Sequence, residues 1–468
     1  MVGSHTHLQH RSGVVGATSS SAARAGRQRG WTLLDLALGA LILCFVWRVQ
    51  DLFPVLAKLK FPLFATFYGF GWFIVSNGLP RLPRLLRHPV VALALGIFVL
   101  ILLSVTTSLY PGLSFRFVTN DYLRTAALML VMAAGARAFK DVERLLLIHL
   151  IGAAAFAYLT ITRFQIGMDG RLGDLGYYDA NDLGMLIVAT LPMAVYLLRP
   201  RVRTPLRLFA AACLCLFMLT IVKTGSRGAF LGLIGVGTYM LFAFRAIPAR
   251  LRFGAVAGAF ALLMLFSGEQ YWTMMRTLLH PTEDYNWSGK NQEGRMEIWK
   301  RGIGYMLQRP LTGVGAQAFE VAEGTISPDA AMQQYGKGIK WTAAHNSFVQ
   351  IGAELGVGGL VMFVAMLVAA FRAMRRVEQE AVGPPEQHAA SRALGQTFTA
   401  SLIGYCIAGF FLSQAYAPYL YVLLGMMVAL WKVTLPQGAR PAARSASRRR
   451  APVRRFSAPL AAPSPRRP

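Results

Sequence analysis

Apolar runs long enough to cross a hydrocarbon core, with imperfect edges, recur near 32–47, 61–77, 89–108, 122–136, 145–162, 183–198, 207–222, 228–244, 253–267, 346–370, 394–413 and 417–434. A bilayer core asks for about 20 mostly apolar residues in a helix. The twelve runs therefore predict twelve transmembrane helices. Between the ninth and tenth lies the one hydrophilic interval wide enough to hold a site, from about Gly268 to Ala344. The expected fold is an all-α polytopic membrane protein: about twelve transmembrane helices and one large extracytoplasmic loop containing short amphipathic helices. In this plan 1–30 and 435–468 are basic, disordered cytoplasmic tails, 31–267 carries helices one to nine, 268–345 is the large loop, and 346–434 carries helices ten to twelve. No soluble domain and no repeat of about 20–50 residues interrupts it.

Composition agrees with the pattern. Of 468 residues 55% are hydrophobic and 15% charged, whereas soluble domains carry about 25% charge; the mean hydropathy is +0.45. Lys and Arg in short loops resist translocation, so their alternation gives orientation. With both termini in the cytoplasm, Arg81, Arg84 and Arg87 stay inside, as do Arg137, Lys140 and Arg144. So do Arg199, Arg201, Arg203 and Arg207, then Arg245, Arg250 and Arg252, then Arg372, Arg375 and Arg376. The first outer loop, with Arg48, Lys58 and Lys60, is the main exception among the short ones. The same parity sends 164–182, 223–227 and the large interval outside. Much of the formal +27 charge sits in the tails. Because each tail abuts a membrane helix, its charge reads as topogenic and attracted to anionic lipid, with no call for nucleic acid. Cys44, Cys213, Cys215 and Cys406 all fall in expected spans without a CxxC pair, so neither a disulfide nor a zinc site is indicated. The first apolar run lacks a small-residue cleavage site and reads as a retained anchor.

Within the large loop, Met296, Trp299, Ile303, Met306 and Leu307 recur at helical spacing, opposite Glu297, Lys300, Arg301 and Gln308. This pattern predicts an amphipathic helix lying on the membrane surface. Pro310 ends it, and Thr312-Gly313-Val314-Gly315 supplies a tight turn. A second polar stretch runs from about Glu320 to Trp341, and the chain re-enters the bilayer at His345 with Asn346 and Ser347 as caps.

The outer side should be poor in cations, yet Arg163, Arg171, Lys223, Arg227, Lys290, Arg295, Lys300, Arg301 and Arg309 are all expected there. An anionic ligand on that face accounts for them; cations snorkelling to lipid headgroups are the alternative, and for Lys223 the two weigh evenly. Lys223 and Arg227 bracket Thr224-Gly225-Ser226, the whole connection between two membrane helices. Arg295 opens the amphipathic helix, where backbone N–H groups and the dipole already favour an anion; a surface pair with Glu293 or Glu297 is its competing use. His345 is the one histidine at an outer helix entrance, a position suited to taking a proton from a hydroxyl or simply to capping. Asp174, Asp179, Asn181 and Asp182 occupy a Gly- and Asp-rich loop that reads as a sugar-hydroxyl or divalent-ion site or as a plain turn. Glu354, inside the helix after His345, is a membrane carboxylate that needs a partner.

The ordered set Thr224-Gly225-Ser226-Arg227-Gly228-Ala229, Gly294-Arg295-Met296-Glu297-Ile298-Trp299, Arg309-Pro310-Leu311-Thr312-Gly313-Val314-Gly315, His345-Asn346-Ser347-Phe348 and Glu354-Leu355-Gly356 resembles the O-antigen ligase/polymerase superfamily. The motif-bearing part covers about 170–360; elsewhere only hydropathy agrees. The resemblance implies a bacterial inner-membrane glycosyltransferase working on the periplasmic face. Its donor would be an undecaprenyl-pyrophosphate-linked glycan and its acceptor another glycan or lipid A-core, with no metal and no cofactor. It also implies that Arg227 and Arg295 grip the pyrophosphate while His345 acts on the acceptor hydroxyl. Around them Arg171, Lys223, Ser226, Trp299, Asn346, Asp179 and Asn181 are the candidates for substrate contact. Ligase, repeat-unit polymerase and protein O-oligosaccharyltransferase share these motifs, and the ligase is the leading expectation. From another class, a polysaccharide or lipid transporter would explain the helices and the basic outer face. It would leave Arg295, Trp299 and His345 without a reason. A two-halves transporter would also put its long connection near 199–206, where this chain has a short one.

Overall fold

The structure, a computed structural model, describes residues 30–163, 171–172, 177–280, 294–328, 330 and 341–436. Nearly all of both basic tails, together with Asp174, Lys290 and Glu293, lies outside the described residues. Every one of the twelve apolar runs folds as a helix: α1 (Leu33–Phe45), α2 (Phe61–Val75), α3 (Pro89–Thr107), α4 (Leu123–Gly135), α5 (Phe139–Arg163), α6 (Ala180–Leu197), α7 (Thr204–Thr224), α8 (Arg227–Phe242) and α9 (Ala249–Phe266), then, after α10 (Arg295–Gln308) of the large loop, α11 (Ser347–Glu380), α12 (Pro385–Gly409) and α13 (Pro418–Thr434). Among the described residues, six (α3, α5, α6, α7, α9 and α11) are long and apolar enough to cross a membrane. The expected twelve full-length spans thus reduce to six by this measure, with α1, α2, α8 and α13 as shorter apolar helices. α4 is short because it continues a helical stretch that starts earlier, through Pro111–Phe117 and one wider π turn, Val118–Tyr122.

Burial sorts the bundle. α6 is the central post, with 89% of its apolar stretch inside, packed on α7, α8 and α12; α9 is peripheral, with 6% inside. The polar starts of the helices are locally satisfied. Thr32 and Asp35 form a capping box on α1, and Asp179 and Asp182 form one on α6. Asp35, although buried, is paired with Arg144 at 2.8 Å, which is how a carboxylate at the start of an apolar helix is tolerated.

The two glycine motifs of the second half lock together. α11 is broken at Gly356, which has φ 73°, and the break frees backbone groups on either side. The Arg309–Gly315 turn takes them up: Val314 N–H donates to the Ala353 carbonyl at 2.9 Å, Gly315 N–H to the Glu354 carbonyl at 3.1 Å, and Val357 N–H to the Pro310 carbonyl at 2.9 Å. In an apolar surrounding each such group left unpaired would cost several kcal/mol. The approach is so close that a Cβ on Gly313 would lie 2.3 Å from the Glu354 carbonyl carbon, and one on Gly356 2.3 Å from the Pro310 carbonyl oxygen. The turn expected from sequence is present, and its use is to splint a broken membrane helix.

The two faces expected for the amphipathic helix are corrected. α10 buries Ile298, Trp299, Gly302 and Tyr305, while Met296, Ile303 and Leu307 of the expected apolar face are exposed. Arg301, assigned to the polar face, is instead inside, where its guanidinium meets the fully buried Glu323. α10 packs on α11 and on the short helix Phe319–Thr325 (Gly302 lies against Val349 and Phe319) through the face that carries Ile298, Trp299, Gly302 and Tyr305.

Candidate functional site

Four connections meet at one end of the bundle, and hydrogen bonds tie them in sequence. The α7–α8 connection is a tight turn: Gly225 adopts φ 57° to end α7, and Ser226, buried, caps α8 by accepting from Ala229 N–H. Against this turn lie Arg171 and Leu172. Leu172 N–H donates to the Lys223 carbonyl at 3.0 Å, and Arg171 donates through Nε to the Thr224 carbonyl at 2.9 Å and through Nη2 to Asn181 Oδ1 at 2.8 Å. Arg171, Asn181, Lys223 and Ser226, far apart in sequence, are thereby neighbours. Arg227, first residue of α8, extends to Thr277 Oγ1 at 2.8 Å.

The α12–α13 connection forms the next link. Gln414 Nε2 donates to Asp182 Oδ1 at 2.6 Å, and the Ser413 hydroxyl accepts from His345 N–H at 2.8 Å. Ser347 sits within 2.8 Å of the Gly409 carbonyl and 2.7 Å of that of Leu412. Asn346 is a true cap, its Oδ1 accepting from Phe348 and Val349 N–H at 2.9 and 3.1 Å. His345 itself has φ 46°, a left-handed conformation uncommon for a residue with a side chain. Backbone held this way by its surroundings is characteristic of functional positions.

The large loop closes the ring. Trp299 Nε1 donates to the Ala344 carbonyl at 3.0 Å, and its ring packs edge-on against Phe410 at 5.3 Å. One turn earlier on the same helix, Arg295 stands near enough to His345 to act on its charge. Burial, then the Arg295 guanidinium, push the half-buried imidazole below its ordinary range, and the Asp179 carboxylate opposes them. The chemical result is a neutral imidazole beside a guanidinium, able to accept a proton while the cation faces an anion.

The cations expected on the outer side separate into two kinds. Arg163 donates to the Leu52 carbonyl, Arg309 to that of Thr107, Lys300 pairs with Glu297 at the surface, and Arg301 is locked to Glu323. These have local structural work. Arg171 joins the hydrogen-bonded ring through Asn181 and the Thr224 carbonyl, Arg295 acts on His345 by its charge, and Arg227 stands at the α7–α8 turn with its contact to Thr277. Glu354, which needed a partner, finds one in a backbone N–H: its carboxylate accepts from Gln317 at 2.9 Å. No group of three or more metal-ligating side chains occurs among the described residues.

Two features escaped the sequence reading. An apolar cleft of about 720 Å³ opens between α6, α7, α8 and α9, reaching Phe230 and Trp272 within a turn of Arg227 and of the helix before Thr277. A separate polar cavity, also about 720 Å³, is walled by Arg48, the helical stretch from 113 to 125, Tyr177, Gln317, Ala343–Ala344 and Ser413–Pro418. Its signal was available: Arg116, Asn120 and Arg124 recur at intervals of four just ahead of an apolar run, a polar stripe on one helix face.

Residues 211–364, about a third of the chain, match the family profile described as O-Antigen ligase, a match that supports membership of that superfamily and ligase- or polymerase-like function in general terms. The matched segment includes Arg227, Arg295, Trp299, the Arg309–Gly315 turn, His345, Asn346 and Glu354. Comparison with curated proteins gives no match.

Proposed function

We propose, from the chain's place in the O-antigen ligase superfamily, that it transfers an undecaprenyl-pyrophosphate-linked glycan to an acceptor hydroxyl on the periplasmic face of the inner membrane, in the manner of a ligase. The observation that carries this reading is the placement of His345: a half-buried imidazole on left-handed backbone, its pKa lowered by burial and then by the Arg295 guanidinium. In the proposed displacement the acceptor oxygen attacks the anomeric carbon as its proton passes to His345. The bond from that carbon to the pyrophosphate oxygen breaks, the electron pair leaves with the pyrophosphate, and inversion results. Arg227 and Arg295 take up the charge that grows on the leaving group, a task suited to the planar fork of guanidinium. The apolar cleft beginning beside Phe230 and Trp272 supports the same reading, because a polyprenyl tail needs hydrocarbon directly next to its pyrophosphate. Arg171, Asn181, Asp179 and Lys223 then border the donor, Trp299 and Asn346 position His345, and Ser226 shapes the turn that presents Arg227.

The test is a deletion strain carrying either the wild-type gene or its His345→Ala form, with surface and lipid-linked glycans resolved on gels. General-base loss costs about 10²- to 10⁴-fold, so the variant is expected to strand long polymer on the lipid carrier and leave bare core. Single repeats reaching the acceptor would instead identify a polymerase. A glycan pattern identical to wild type from a well-expressed His345→Ala variant would sink the enzyme reading and return the transporter.

A further inference from the structure

The polar cavity beside the His345 ring has the chemistry of a saccharide site with a place for a negative charge. Its floor and walls mix ring faces, from Phe117, Tyr177 and Tyr416, with planar hydrogen-bonding groups, from Asn120, Gln317 and Gln414. Sugars present the same mixture, an apolar ring face and a rim of hydroxyls. Three arginines also reach it, along with the carboxyl groups of Asp121, Glu320 and Glu354. Arg48 is already occupied, stacked 3.7 Å over Tyr177 and paired with Asp51. Arg116 and Arg124 are exposed and, among the described residues, make no ion pair.

Local structure aims them together. Arg116, Asn120 and Arg124 share a stripe by their spacing of four, and the π turn Val118–Tyr122 adds an extra residue to the helix between them. That insertion brings the neighbouring stripe, Phe117, Asp121 and Thr125, onto the same cavity. Such turns are rare and occur mostly at functional positions, because the widened hydrogen-bond pattern has to be held by something else.

The cavity is also placed for one substrate in particular. Ala343, Ala344 and Ser413 form part of its wall, and Ser413 is the group that holds His345 by its N–H. Arg227, Arg295 and His345 are themselves outside its lining, His345 following directly on the lining Ala344. A sugar seated there lies next to the His345 backbone without occupying the arginines assigned to the pyrophosphate. Resting on the ligase-like reading above, we infer that this cavity is the acceptor subsite, and that Arg116 and Arg124 recognise a phosphate or carboxylate on the acceptor saccharide. Bidentate guanidinium contact is the suited recognition for either group.

The experiment measures equilibrium binding to the full chain in lipid nanodiscs. The probes are labelled lipid A-core oligosaccharide and, separately, undecaprenyl-pyrophosphate glycan purified from the deletion strain. The Arg116→Ala/Arg124→Ala double variant is expected to bind the oligosaccharide at least ten-fold more weakly than wild type and the lipid-linked glycan equally well. Two treated oligosaccharides identify the anion. Whichever treatment, dephosphorylation or carboxyl reduction, lowers wild-type affinity to the level of the double variant names the group recognised. Because both arginines are exposed, the variant's melting temperature should match wild type, and Arg116→Lys/Arg124→Lys should recover part of the affinity. Unchanged oligosaccharide binding, absence of binding by wild type, loss confined to the lipid-linked glycan, or indifference to both treatments would each overturn the assignment. Failure of the underlying reading shows differently, as transfer that persists in His345→Ala.

Discussion

The start and the middle of α10 use the same residue in opposite ways. Arg301, in its second turn, is almost wholly buried, both oxygens of Glu323 lie 3.0 Å from its Nε, and Tyr305 donates to the same carboxylate at 2.7 Å. This is a closed structural unit: every charge is answered within the protein. Arg295, the first residue of the helix, sits where the helix dipole disfavours a cation by about 0.3–1 kcal/mol, and its field falls on His345. Six residues and fewer than two helical turns therefore separate scaffold from site.

Exchanging the roles of the two arginines is the sharpest way to break this comparison. Arg295→Ala should lower transfer by about 10²- to 10³-fold, the scale of removing one preorganised charge-stabilising donor. Its thermal unfolding should stay close to wild type, since the lost charge opposed the dipole. Arg301→Ala should do the reverse, lowering stability by about 3–5 kcal/mol by stranding Glu323 in the interior, with activity per folded molecule largely retained. Equal melting losses in the two variants would erase the distinction.

A finer test is the pH dependence of transfer. The base must be neutral to act, and burial and Arg295 hold the His345 pKa below the ordinary imidazole value, so activity falls as pH drops through that lowered value. Removing the neighbouring charge in Arg295→Gln lets the pKa rise, and the acidic limb of the residual activity should move to higher pH. Asp179→Asn, which keeps a capping side chain on α6, should move it to lower pH, because Asp179 is the group that favours the imidazolium. A limb that stays put in both variants would remove His345 as the titrating base. The smallest effect is expected for Asn346→Ala, a lost cap worth about 1 kcal/mol in thermal unfolding.

Much of this was legible in the chain. The twelve apolar runs locate the bundle helices, because hydrocarbon length and backbone satisfaction impose the helix whatever its neighbours. The Thr224–Ser226 turn, the Asn346 cap and the end of α10 after Gln308 were also local matters, decided by Gly, Asn and Pro at single positions. The α10 face was misread because Arg301 counts as polar in any pattern, and only its meeting with Glu323, 22 positions away, makes burial favourable. Gly313 announced a tight turn, but not that it meets the Glu354 backbone of α11, nor that Gly356 meets the Pro310 carbonyl.

By itself, then, the sequence determined the class of the protein, the order of its helices and the residue types available at the outward-facing connections, since hydropathy and backbone preference act within a few residues. Tertiary structure alone decided which charges are consumed in the scaffold and which surround His345. It also decided that Arg116 and Arg124 share a cavity with Gln317 and Ser413, distant in the chain. The reason is physical: the energy of a charge depends on what lies within a few ångströms, and in a bundle those neighbours come from helices that sequence order does not bring together.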